Sequence, residues 1–137
     1  MATKKLKKFK TLEECQIELG IKLGLKPSVS KLPKKYRAAL IADFNLTIIC
    51  EAHNKVNNEG KIWEPNFNDT NEPKYSMLPW IKASEEQPSG FGFSDSHYAY
   101  SLAGTFCGSR HLLKYSELAI HILDQFPDVC KDHFLLK

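Results

Sequence analysis

The chain has 137 residues, of which 42% are hydrophobic and 26% charged, and its formal net charge is +3. That length fills one domain and hides roughly two-thirds of the unfolded surface, while the composition excludes a disordered, collagen-like or fibrous protein. No apolar run approaches the roughly 18 residues of a membrane span, and the N-terminal lysine cluster has no apolar stretch behind it, so neither an anchor nor a signal peptide is expected.

The charge is unevenly spread. Residues 1–10 hold Lys4, Lys5, Lys7, Lys8 and Lys10 and no acid; without them, 14 basic residues face 16 acidic ones, a formal −2. Attraction for a polyanion must therefore come from this basic N-terminal tail or from a local patch. Residues 11–137 read as a single domain behind it.

Thr11-Leu12-Glu13-Glu14 has the form of a capping box and predicts a short helix ending at Gly20, where a left-handed residue is needed. Residues 20–32 are a connector. Pro33 suits a first helical position, and Tyr36, Leu40, Phe44, Thr47, Ile48 and Ala52, widened by Ile41, Ile49 and Val56, predict a long core helix that Asn57-Asn58-Glu59-Gly60 stops.

From Lys61 the pattern turns to strand and turn chemistry. Residues 62–67 alternate, residues 68–73 are turn formers, and residues 75–83 predict a strand that Pro79 confines to an edge or forces to bulge near Trp80. Three further short strands are expected at residues 90–93, 97–100 and 109–113. Ser116-Glu117 then opens a final helix through Leu118, Ala119, Ile122, Phe126, Cys130 and Phe134, kinked or restarted at Pro127. The expected class is α+β, a small antiparallel sheet of about four to five short strands packed against two N-terminal helices and a C-terminal helix.

Few residues invite chemistry. Gly90, Gly92, Gly104 and Gly108 match neither a phosphate loop nor a dinucleotide fingerprint. Cys15, Cys50, Cys107 and Cys130 are scattered, as suits buried reduced thiols. Cys107, His111, Cys130 and His133 supply zinc-type ligands at spacings that match no known finger, so no metal or other cofactor is expected. Residues 66–72 resemble a calcium loop only in composition and read better as Asx turns. Cys107, Ser109, Asp95, His97 and His111 offer the materials of nucleophilic catalysis without a framing signature, so an enzyme is not the first expectation.

Nucleic-acid binding has more behind it: Lys4, Lys5, Lys7, Lys8 and Lys10, then Lys31, Lys34, Lys35 and Arg37 at a helix N-terminus whose dipole opposes them. Trp63, Trp80, Tyr98 and Tyr100 could stack on bases, and Arg110 could add a contact.

With Trp63-x-Pro65, Asn68-Asp69-x-Asn71, Pro79-Trp80, Gly90-Phe91-Gly92 and the run from Gly108-Ser109-Arg110 to Ser116-Glu117-Leu118-Ala119 in view, the chain resembles a group of small uncharacterised proteins encoded by phages and prophages of gut bacteria. The resemblance covers most of residues 11–137, although Asn66 stands where the group carries an acid. It implies a phage or mobile-element origin and little about mechanism, since the group has no established activity, and it does not lead one to expect metal ligands at Cys107, His111 and Cys130. The resulting expectation is a non-catalytic accessory protein of the host cytoplasm that binds nucleic acid or a protein partner. Its alternatives are a virion or assembly component acting by self-association and a small enzyme or zinc-binding protein.

Overall fold

Local chemistry sets the first helix. In the computed structural model, which describes residues 5–83, 91–102 and 109–135 (backbone alone for residues 82, 83, 91–95 and 109), α1 spans Leu12–Leu19. The Thr11 hydroxyl accepts the Glu14 N–H at 3.2 Å. The Glu14 carboxylate accepts from Lys10 N–H at 3.3 Å, one residue earlier than the reciprocal bond of a capping box. Gly20 closes the helix at φ 68°, a conformation that side chains with a Cβ resist.

The long helix α2 is Lys34–Val56, with Pro33 just outside it as the cap (φ −53°, ψ 137°) and not at its first position. Leu46, Ile49, Cys50 and Ala52 are fully buried and form the centre of the core. The expected stripe does not hold in the first turns, where Tyr36 is 50% and Leu40 44% exposed. The core covers only the C-terminal part of this helix. Asn57 caps it, and Glu59 and Gly60 turn the chain away through positive φ values of 58° and 75°.

The sheet is smaller than expected. Among the described residues it has two strands, β1 (Lys74–Ala83) and β2 (Phe91–Ser101), paired antiparallel. Residues 62–67 pair with no strand, because Pro65 removes a donor and the Asx turns that follow curl the chain. The strands expected at residues 90–93 and 97–100 merge, over their described residues 91–93 and 97–100, into the one strand β2, since Asp95 and Ser96 pair with Trp80 and Pro79 instead of turning. The irregularity expected near Trp80 is present: the register shifts between Trp80 and Ile81, and Ser94 is the residue skipped. Residues 109–113 form a 3-10 turn, Ser109–His111, and a single bridge from Leu113 to Tyr75, not a full strand.

The final helical run is split as Pro127 requires, into α3 (Ser116–Gln125) and α4 (Pro127–Phe134), with the proline at the start of α4, where its missing N–H costs no hydrogen bond. Leu118, Ala119, Ile122 and Leu123 of α3 face the core, and α3 lies on both strands while α4 packs on α2. No described helix is long and apolar enough to cross a membrane. Cys15, Cys50 and Cys130 are buried free thiols, and burial pushes Cys15 and Cys130 up to about 12. Cys107 lies outside the described residues.

Two buried polar side chains fasten the periphery to this core. The Lys74 ammonium, fully buried, donates to the carbonyls of Asp69 (3.2 Å), Glu72 (2.8 Å) and Leu102 (2.7 Å), and so ties the turn before β1 to the end of β2. His53 is held as the Nδ1–H tautomer: Nδ1 donates to Ile49 O at 2.7 Å while Nε2 accepts Phe9 N–H at 3.0 Å. Burial pushes its pKa down from 6.5 to about 4.

Two predictions follow from these anchors. Lys74→Met leaves three carbonyls without their cation and is expected to lower the unfolding free energy by about 3 kcal/mol in urea titrations; a loss below about 0.5 kcal/mol would contradict the arrangement. For His53, the folded pKa lies below the unfolded one, so its contribution is complete above about pH 6.5 and is lost as pH falls through about 4. Denaturation across that interval should show a fall of about 3 kcal/mol from this ring. His53→Gln, which can keep both hydrogen bonds without titrating, should flatten that part of the profile, and an unchanged profile would count against the assignment.

Candidate functional site

The basic N-terminal segment does not hang free over its described length. Residues 5–10 run along α2 and α3, with Leu6 and Phe9 turned inward against the core and Lys5, Lys7, Lys8 and Lys10 exposed. The backbone is held at successive points. Lys7 N–H donates to Asn57 Oδ1 at 2.7 Å, Asn57 Nδ2 returns a bond to Lys7 O at 2.8 Å, and the Phe9 amide reaches His53. His121 Nε2 donates to Phe9 O at 2.7 Å and Gln125 Nε2 to Lys10 O at 3.1 Å. The Phe9 ring meets His53 edge-on at 5.1 Å. Among the described residues none of the four ammonium groups has a carboxylate partner, so their charge is directed to solvent. Lys4 lies outside the described residues.

The second basic group is separate. Lys31, Lys34 and Lys35 are exposed, with the Lys35 ammonium 4.9 Å from the Tyr36 ring centre. Arg37 is turned back, donating to Leu32 O and Ser30 O at 2.9 Å each, and so fastens the connector and presents fewer donors outward. From Lys34 to His53, where the N-terminal segment docks, the helix climbs about 28 Å. The two groups are therefore distinct patches at opposite ends of α2.

The aromatic candidates divide between the faces of the β ribbon and a recess beside it. Trp80 is 55% exposed and stacks on His97 with centroids 4.0 Å apart. Tyr98 and Tyr100, both exposed, share the opposite face with Tyr75, whose ring each meets, at 5.5 Å and 6.4 Å. Trp63 is half-buried and lines a cavity of about 230 Å³ with Arg110, Glu51 and Glu64. Two carboxylates beside Arg110 make that cavity a poor seat for phosphate.

The acid–base candidates are also dispersed. His97 stacks on Trp80 in the ribbon, whereas His111 is buried and faces Thr47 and Asp43 of α2. Cys107 and the side chains of Asp95 and Ser109 lie outside what is described. Asn66 and Asp69 accept from the Asn68 and Asn71 amides at 3.0 Å and 2.9 Å, the Asx turns expected there. Gly90, Gly104 and Gly108 lie outside the described residues, and Gly92 is within β2.

Of the three zinc-type residues that are described, His111, Cys130 and His133, the structure brings together two. His111 and His133 meet edge-to-face at 4.9 Å. Cys130 points into the core, its thiol reaching Ile122 O at 3.7 Å, and takes no part. The third member of the cluster is Asp43, its Oδ1 3.5 Å from His111 Nε2 and 3.9 Å from His133 Nδ1. Burial lowers the pKa of both imidazoles, and in His111 the neighbouring His133 adds to the effect. Asp43 was missed in the sequence; its one available signal is Asp43-x-x-x-Thr47, which puts two oxygen donors on one helix face. Against known proteins, no family model, curated protein or solved structure matches the chain.

Proposed function

We propose that the chain is a non-catalytic accessory protein that binds nucleic acid, single strands in particular, through the docked segment of residues 5–10, with the exposed rings of the ribbon as stacking platforms. The observation that carries this reading is the division of labour in that segment: Leu6, Phe9 and six backbone hydrogen bonds are spent on the fold, while its four lysines are turned outward with no carboxylate partner among the described residues. A held backbone loses little further entropy when phosphates bind, which a free lysine tail would. Helix α3 supports both surfaces. His121 and Gln125 hold the basic segment, and Asp124 accepts the Ser96 hydroxyl of β2 at 2.6 Å. Trp80, Tyr98 and Tyr100 offer sequence-tolerant stacking. A phage or mobile-element setting belongs to the same proposal and rests on the resemblance in the sequence.

A second reading, self-association in an assembly, is favoured by the exposed apolar side chains of β1, Leu78 at 44% and Ile81 at 51%. It predicts a mass above that of the monomer in light scattering.

The nucleic-acid reading predicts that a labelled single-stranded oligonucleotide is retained at low salt and released as salt rises. Replacing Lys5, Lys7, Lys8 and Lys10 by Gln should reduce the slope of log affinity against log salt by about 3, the release expected for four single-strand phosphate contacts. Thermal stability should change little, because these side chains make no described contact that the fold uses. Equal affinity before and after the replacement, or no retention at low salt, would overturn the assignment.

A further inference from the structure

We propose that Asp43, His111 and His133 form a binding site for one divalent transition-metal ion, of the zinc type in its preference for nitrogen and oxygen ligands. The three ligand atoms come from three elements, α2, the 3-10 turn and α4, and all lie within 4.8 Å of one another. Neither approach to the carboxylate is a good hydrogen bond, at 3.5 Å from His111 and 3.9 Å from His133. Ligands on one tetrahedral ion with bonds of about 2.0–2.1 Å sit about 3.3 Å apart, so modest side-chain rotations would close the set.

Charge and access agree with this. No lysine or arginine forms an ion pair with Asp43 among the described residues, so a bound cation would supply its countercharge. His111 is 3% exposed, but Asp43 and His133 are 37% and 22% exposed, which leaves a route in from solvent and an open coordination position. Thr47, one turn beyond Asp43, gives its hydroxyl proton to Asp43 O at 2.8 Å and so accepts from His111 Nε2 at 3.2 Å; a bound ion would take the place of that Nε2 proton. The buried Nδ1 of His111 has no described acceptor. The site therefore lacks one outer hydrogen bond that tight metal sites carry, and its affinity should fall below that of structural zinc.

The site is independent of the nucleic-acid surface, and its test uses the full chain. Calorimetric titration with Zn²⁺ should give one ion per chain, and Co²⁺ should give visible ligand-field absorption without a thiolate charge-transfer band, since no cysteine is in the set. Asp43→Asn and His133→Gln, both at partly exposed positions, should each weaken binding by at least about tenfold while unfolding at nearly the wild-type temperature. His97→Gln, away from the cluster, should bind like the wild type. The proposal is overturned by absence of saturable binding, by a thiolate band, or by binding that survives Asp43→Asn and His133→Gln unchanged.

Discussion

The Asn54 carboxamide holds the two halves of the molecule in one arrangement. From the last turn of α2 its Nδ2 donates to Leu112 O and its Oδ1 accepts Lys114 N–H, both at 2.9 Å, so that one side chain acts as a strand edge for a segment that has no strand beside it there. On the opposite side Leu113 exchanges backbone bonds with Tyr75, at 2.8 Å and 3.0 Å. A buried backbone stretch must have its amides and carbonyls satisfied, and here the satisfaction comes from a helix side chain on one flank and from β1 on the other. The 111–114 segment thereby becomes the strut between the helical layer and the ribbon.

Much of the candidate chemistry is placed by that strut. Its first residue is His111, delivered to Asp43 and Thr47 because the next residue is clamped by Asn54. Its last residue, Lys114, reaches Asn58 Oδ1 at 2.7 Å and leads into α3, the helix that carries the basic N-terminal segment on one face and meets the ribbon on another. The same logic recurs at the N-terminus. A neutral His53, donating inward to Ile49 and accepting outward from Phe9, turns what composition shows as a lysine tail into a fixed ridge of charge. Acidification would remove the acceptor and loosen the ridge without touching a lysine.

The helices were legible because their signals are local. Thr11 and Glu14 mark a start, Gly20 a stop, and Pro127 a break, each through backbone chemistry that no distant contact alters. The sheet was legible in class and not in extent. Asp95-Ser96 has turn composition, yet both residues pair across to β1, since a long partner strand outweighs a weak local preference. Residues 109–113 have strand composition, yet only Leu113 bridges, because His111 is drawn toward α2. The exposed first turns of α2 show the converse: apolar periodicity at Tyr36 and Leu40 records a helix face, and only tertiary packing decides whether it is covered. His111 and His133 could be named as ligand types from the sequence, but Asp43 could not, because 68 residues of chain separate it from His111 and only the fold brings them together.

Native-state amide exchange at Leu113 and Lys114 tests the strut most directly. If the Asn54 clamp joins the layers, both amides should exchange about as slowly as those of Ile49 and Cys50 in the core, and Asn54→Leu should speed the Lys114 amide by at least about tenfold. Exchange of Leu113 and Lys114 at rates typical of exposed loops, with Ile49 and Cys50 still protected, would show that the segment does not bind the two halves together.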